Sequence, residues 1–97
     1  MRMAMLQNKY QSALQQLSSL QEQYLAIHKD YNYVNAMLLG NVEGEQRVEQ
    51  NKRLAKMKTL DVDIAKCRGR IATLERDIQQ ENMRIVRKQA QCYRKRR

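Results

Sequence analysis

The chain has 97 residues, with no Pro, Trp or Phe, three Gly, 42% hydrophobic and only 5% aromatic residues. A compact β or α/β fold needs turn residues about every 8–12 positions, and these are missing, whereas Leu, Ile, Val, Met and Ala with 30% charge suit long helices and narrow helix–helix seams. The formal net charge of +9 is lopsided: residues 1–39 carry three Lys/Arg against two Asp/Glu, and residues 40–97 carry sixteen against eight.

The first element is a heptad helix. Met3, Tyr10, Leu17, Tyr24, Tyr31 and Leu38 recur at position a, and Leu6, Ala13, Leu20, Ile27 and Val34 at position d. An unbroken a/d pattern of this length predicts a coiled-coil helix from about residue 3 to 39. Gly40 supplies the expected left-handed cap, and the turn is expected over residues 40–44. A weaker second stripe runs through Leu14, Leu25 and Ala36.

The second element is predicted over about residues 45–95. Asn41 is a candidate N-cap, and Glu43 and Glu45 suit the positive end of the helix dipole. Met57, Ile64, Ile71, Ile78 and Ile85 form position a, with Leu60, Cys67 and Leu74 at d, until Glu81 and Lys88 make the seam polar. Upstream, Gln46, Gln50 and Arg53 lie in the same frame. The spacing from Leu38 to Met57 is not a multiple of seven, which argues against one continuous helix. Folding back about Val42 pairs residues whose numbers sum to 84, so that Tyr10 meets Leu74, Ala13 meets Ile71 and Leu17 meets Cys67. A register with one more heptad in the loop pairs Tyr24 with Cys67, but needs a longer connection. The predicted fold is all-α, an antiparallel two-helix coiled-coil hairpin forming a single unit and packed in a larger helical assembly.

Two surfaces stand out. Position f of the second helix, normally polar, reads Val48, Ala55, Val62, Gly69, Arg76 and Met83, and position b adds Ala65, Ala72 and Val86. A helix apolar on two faces is expected between partners, so Val48, Ala55, Val62, Gly69, Met83 and Val86 are the candidate partner-binding face for other subunits or for self-association. Beyond the seam lies a basic extension, residues 84–97: Arg84, Arg87, Lys88, Arg94, Lys95, Arg96 and Arg97, with no acid. Such a run suits nucleic acid, acidic protein or an anionic surface, or simply solubilises a helix end.

Catalytic and metal chemistry is not expected. Cys67 and Cys92 are too far apart along one helix to bridge. His28 is the only histidine, and no CxxC, HxxxH or EF-hand spacing occurs. Asp77 and Glu81 share a face, but a two-helix rod offers no pocket to desolvate them. Alternating charges at position g of the second helix, Glu49, Lys56, Asp63, Arg70, Asp77 and Arg84, predict flanking salt bridges. No apolar run approaches the roughly 20 residues of a membrane span, and no signal peptide is evident, so a cytoplasmic location is expected.

The stretch from Leu14 to Tyr31, with Gln between its leucines and spaced Tyr24 and Tyr31, resembles the first helix of the FliJ/YscO family, stalk proteins of flagellar and type III secretion ATPases. The resemblance implies an antiparallel coiled coil with a long basic second helix. It also implies a rod tip and one terminus in the pore of a hexameric ATPase, and a Tyr-bearing helix that contacts an export gate. The functional expectation is a non-enzymatic structural or adaptor protein of protein transport. The alternative is a basic-tailed coiled coil that binds nucleic acid, for which the tail offers charge but only Tyr93 for stacking.

Overall fold

The computed structural model describes residues 2–95 and consists of two helices, α1 (Arg2–Met37) and α2 (Glu45–Lys95), packed antiparallel. The hairpin measures 80 × 16 × 14 Å. Its length is that of α2, whose 51 residues rise about 76 Å.

The heptads place the seam. On α2 the buried residues are Gln50, Met57, Leu60, Ile64, Cys67, Ile71, Leu74 and Glu81, all a or d positions. On α1 every a and d residue from Met3 to Val34 is buried or half-buried, as is Leu38 just beyond its end. Ala13, at 0% exposure, anchors a cluster with Cys67, Ile71 and Leu74, against which Leu6, Tyr10, Leu14, Leu17 and Leu20 pack. Ala13 is small enough for the two backbones to approach, and the Cys67 thiol donates to its main-chain carbonyl at 3.3 Å. A thiol can therefore sit in this core without an orphaned polar atom.

The register is the one the seam predicts. The phenol of Tyr10 meets Glu75, Arg2 meets Glu81, and Gln50 meets Tyr31 and Asn35, with residue numbers in each pair summing close to 84. Cys67 lies beside Ala13 and Leu17, not beside Tyr24.

The turn differs from expectation at both ends. Helix α1 stops at Met37 rather than near residue 39, and Leu39, not Gly40, takes the first left-handed position (φ 51°), with Gly40 following at φ 81°. The Gly40 amide donates to the Asn35 carbonyl and the Leu39 amide to Ala36, which is a Schellman closure. At the other end Asn41 is not the cap. Gly44 precedes α2 at φ 61°, and its carbonyl accepts from the Val48 amide. The chain reverses over residues 38–44, early enough for Gln50 to reach Tyr31 and Asn35.

Candidate interaction surfaces

Pairing ends at Glu81. This carboxylate is only 6% exposed, although its sequence position had marked it as the point where the seam fails. It accepts from Nε of Arg84 at 3.2 Å and from the Arg84 Nη2, and lies 3.8 Å from Nε of Arg2. The hydrogen bond from Arg84 holds its carboxyl below the ordinary range. Partial burial opposes this, and the charges of Arg84, Arg2 and Lys88 reinforce it. The lowering prevails because the Arg84 hydrogen bond and the three nearby cations together outweigh the desolvation. Glu81 thus closes the seam as an ionic layer, and Arg84, expected among the free cations of the tail, is shared with it. Asp77, paired with Glu81 on sequence grounds, is not drawn into this cluster.

A second polar layer closes the other end. Gln50, 4% exposed, donates to the Tyr31 carbonyl at 2.9 Å and to Oδ1 of Asn35 at 3.1 Å, while its own Oε1 accepts from Arg53 at 2.7 Å. The apolar core therefore lies between two satisfied polar layers.

The alternating g charges do not bridge the helices. Among the described residues the ion pairs are Arg2–Glu81, Lys52–Glu49 and Arg84–Glu81, and only the first crosses between α1 and α2. The g residues of α1 are charged at Arg2, Lys9 and Asp30 and uncharged at Gln16, Gln23 and Met37. Arg70, Asp63 and Glu49 therefore have no opposite charge to meet at the facing α1 position, and Lys9 and Asp30 do not close on Asp77 and Lys56 within bridging distance. On the other flank Tyr10 donates to Glu75 at 3.0 Å. That bond, then burial and the nearby negative charge, raise the phenol above its ordinary value.

The back face of α2 is open. Val48, Val62, Met83 and Val86 are each more than half exposed, and Ala55 and Gly69 are exposed beside them. A methyl group built on Gly69 meets nothing within 4 Å. A mid-helix glycine costs about 1 kcal/mol relative to alanine, and nothing within this chain requires it. Thr59 and Thr73 turn their hydroxyls back to the carbonyls of Ala55 and Gly69, both at 3.1 Å, so this face has its own hydrogen bonds satisfied. The expected second stripe of α1 is broken: Leu14 packs into the core, whereas Leu25 stays 64% exposed.

Beyond Glu81, residues 82–92 are exposed on every face. Arg87 and Lys88 project there as expected. The side chains of Arg94 and Lys95, and the whole of Arg96 and Arg97, lie outside the described residues. Cys67 is buried and Cys92 exposed, both as free thiols. His28 stacks on Tyr24 with ring centroids 5.9 Å apart. Among the described residues no three His, Cys, Asp or Glu are grouped to hold a metal, and no helix is long and apolar enough to cross a membrane.

Comparison with family models, with curated proteins and with solved structures finds no match to this chain.

Proposed function

We propose that this chain is a non-enzymatic coiled-coil adaptor of the FliJ/YscO stalk kind, and that it also docks other protein subunits on the back face of α2. The observation that carries this reading is the stripe from Val48 through Val62 and Gly69, apolar and small yet uncovered. Valines more than half exposed at positions that normally carry charge are costly to leave wet. The unexplained glycine gains a reason if a neighbouring helix approaches there, because a residue without a Cβ gives two backbones the closest approach. A thin rod with one narrow seam is also a weak stand-alone fold, which favours a covered state.

Gly69→Ala tests this directly, because its two effects have opposite signs. The isolated chain should gain about 1 kcal/mol of helix stability, while self-association or copurification with partner subunits from its own cells weakens. Val62→Lys should likewise keep the chain helical and abolish assembly, since it buries an unpaired ammonium. If both variants assemble like the parent chain in sedimentation and copurification, the back face is simply solvated and the adaptor reading fails.

A further inference from the structure

The overhang of α2 carries a pattern that the adaptor reading does not use. Among the described residues no side chain of α1 covers the helix from Asn82 to Cys92, and each residue of this segment is exposed. At about 100° per residue, Ile85, Val86, Ala90, Cys92 and Met83 fall within roughly one half of its circumference. Arg87 and Lys88, with Gln91 and the Arg84 that Glu81 shares, fall in the other half. Asn82 and Gln89 interrupt the apolar half, but no charge enters it. Met83, Ile85 and Val86 are 56%, 36% and 61% exposed, and no acidic residue follows Glu81 in the sequence.

We infer that this overhang is an interfacial helix that lies on an anionic lipid bilayer, its apolar half in the headgroup boundary and its cations towards the lipid phosphates. Phosphate binding to nucleic acid uses the cations alone and would leave Met83, Ile85 and Val86 wet. A helix seated in an acidic protein groove needs a partner shaped to a continuous row of apolar anchors, and Asn82 and Gln89 interrupt that row here. A bilayer needs no shape match. It takes a helix whose apolar and cationic residues are sorted to opposite sides, and it compensates for modest apolar area with charge attraction. The excess of cations in residues 40–97 adds to that attraction, and the overhang clears the end of α1, so the rod does not obstruct contact with a flat surface.

The test is cosedimentation of the full chain with vesicles of phosphatidylcholine, alone or doped with phosphatidylglycerol, and in parallel its binding to duplex DNA. The chain should bind only the doped vesicles. The neutral double substitution Met83→Gln/Val86→Gln should lower that binding roughly tenfold or more and leave DNA binding unchanged, whereas Arg87→Glu should weaken both. Val62→Lys, at the centre of the proposed protein-docking face, should not weaken vesicle binding, so failure of this inference and failure of the adaptor reading are distinguishable. Absence of binding to doped vesicles would overturn the inference. So would vesicle binding that Met83→Gln/Val86→Gln leaves intact, because the attraction would then be charge alone. Loss of a protein contact on the same double substitution, without vesicle binding by the parent chain, would assign the overhang to an acidic protein instead.

Discussion

The Nε2 amide of Gln50 donates to Oδ1 of Asn35 across the hairpin at 3.1 Å, in a layer where Gln50 is almost fully buried. A buried polar residue at an a position costs stability but ties the two helices to one register, since sliding by a heptad would leave the amide unpaired. Gln50→Ala should therefore lose about 1–2 kcal/mol. The double variant Gln50→Leu/Asn35→Leu should melt no lower than the parent chain. Thermal melts followed by circular dichroism read both. A double variant that melts well below the parent would show that this layer stabilises the hairpin rather than selecting its register.

Register itself can be read by crosslinking. Leu17 packs in the cluster that holds Cys67, whereas Tyr24 lies a heptad away, about 10 Å along the rod. A disulfide needs Cα atoms within about 7 Å. In a Cys92→Ser background, Leu17→Cys should oxidise to an intrachain bridge with Cys67, and Tyr24→Cys should not. The Gln50→Leu/Asn35→Leu background should permit some crosslinking from Tyr24→Cys, because the element that rejects the slipped pairing is gone.

The seam and the register were legible in the sequence because both follow from seven-residue periodicity. Every α2 residue from Met57 to Leu74 placed at a or d is buried. What was not legible depends on how the ends close. Glycine is the usual left-handed residue, so Gly40 read as the cap. Pairing Gln50 with Asn35 leaves only residues 38–44 to reverse the chain, and Leu39 is forced into that conformation first. Glu81 read as a break because acids seldom occupy a seam. Its burial depends on Arg84, one turn on, and Arg2, at the far end of the other helix, and no local pattern joins those three. The charge alternation at g suggested cross-helix bridges, but α1 presents Gln16, Gln23 and Met37 at half of the facing positions, and Lys9 and Asp30 among the others stay beyond bridging distance. On the back face, the exposure of Val48, Val62, Met83 and Val86 follows from the same heptad count that buried the seam.

Leu39 offers a gain in stability. It adopts φ 51° and is 92% exposed, so its side chain contributes almost no packing. Left-handed backbone costs an L residue roughly 1–2 kcal/mol, and glycine avoids most of that cost. Leu39→Gly should raise the melting temperature by several degrees. Gly40→Ala, at φ 81° in the next position, should lower it. An unchanged or lower melting temperature for Leu39→Gly would mean that Leu39 packs in a way this conformation does not show.

Tyr10 and Glu81, both at seam positions, predict opposite pH limbs. Glu81 has its folded value lowered, chiefly by the hydrogen bond from Arg84. Its contribution is present above the ordinary carboxylate value and is lost as pH falls through the lower folded value. Tyr10 has its folded value raised, chiefly by its bond to Glu75. Its contribution is present below the ordinary phenol value and is lost as pH climbs through the higher folded one. Glu81→Gln should flatten the acid limb of the stability profile without changing the alkaline limb, and Tyr10→Phe should do the reverse. Denaturant melts across pH would show this. An acid limb unaltered in Glu81→Gln would place the responsible carboxylate elsewhere.

The final prediction concerns the overhang. Burial on α2 ends at Glu81, and residues 82–92 are all exposed, so they add helix length without adding core. Arg84 is the exception, because it holds the Glu81 carboxylate. Deleting residues 86–97 keeps Glu81, Arg84 and every seam layer, and should leave the melting temperature within a few degrees, because an uncovered helix end adds little to stability. Arg84→Ala in the full-length chain should be the more destabilising change, since it strips a nearly buried carboxylate of its main partner. The same deletion should sharply reduce binding to polyanions, whose salt dependence should weaken in step with the number of cations removed. A large fall in melting temperature on deletion, with Arg84 still present, would show that the overhang packs against the rod and would remove the basis for treating it as a free helix.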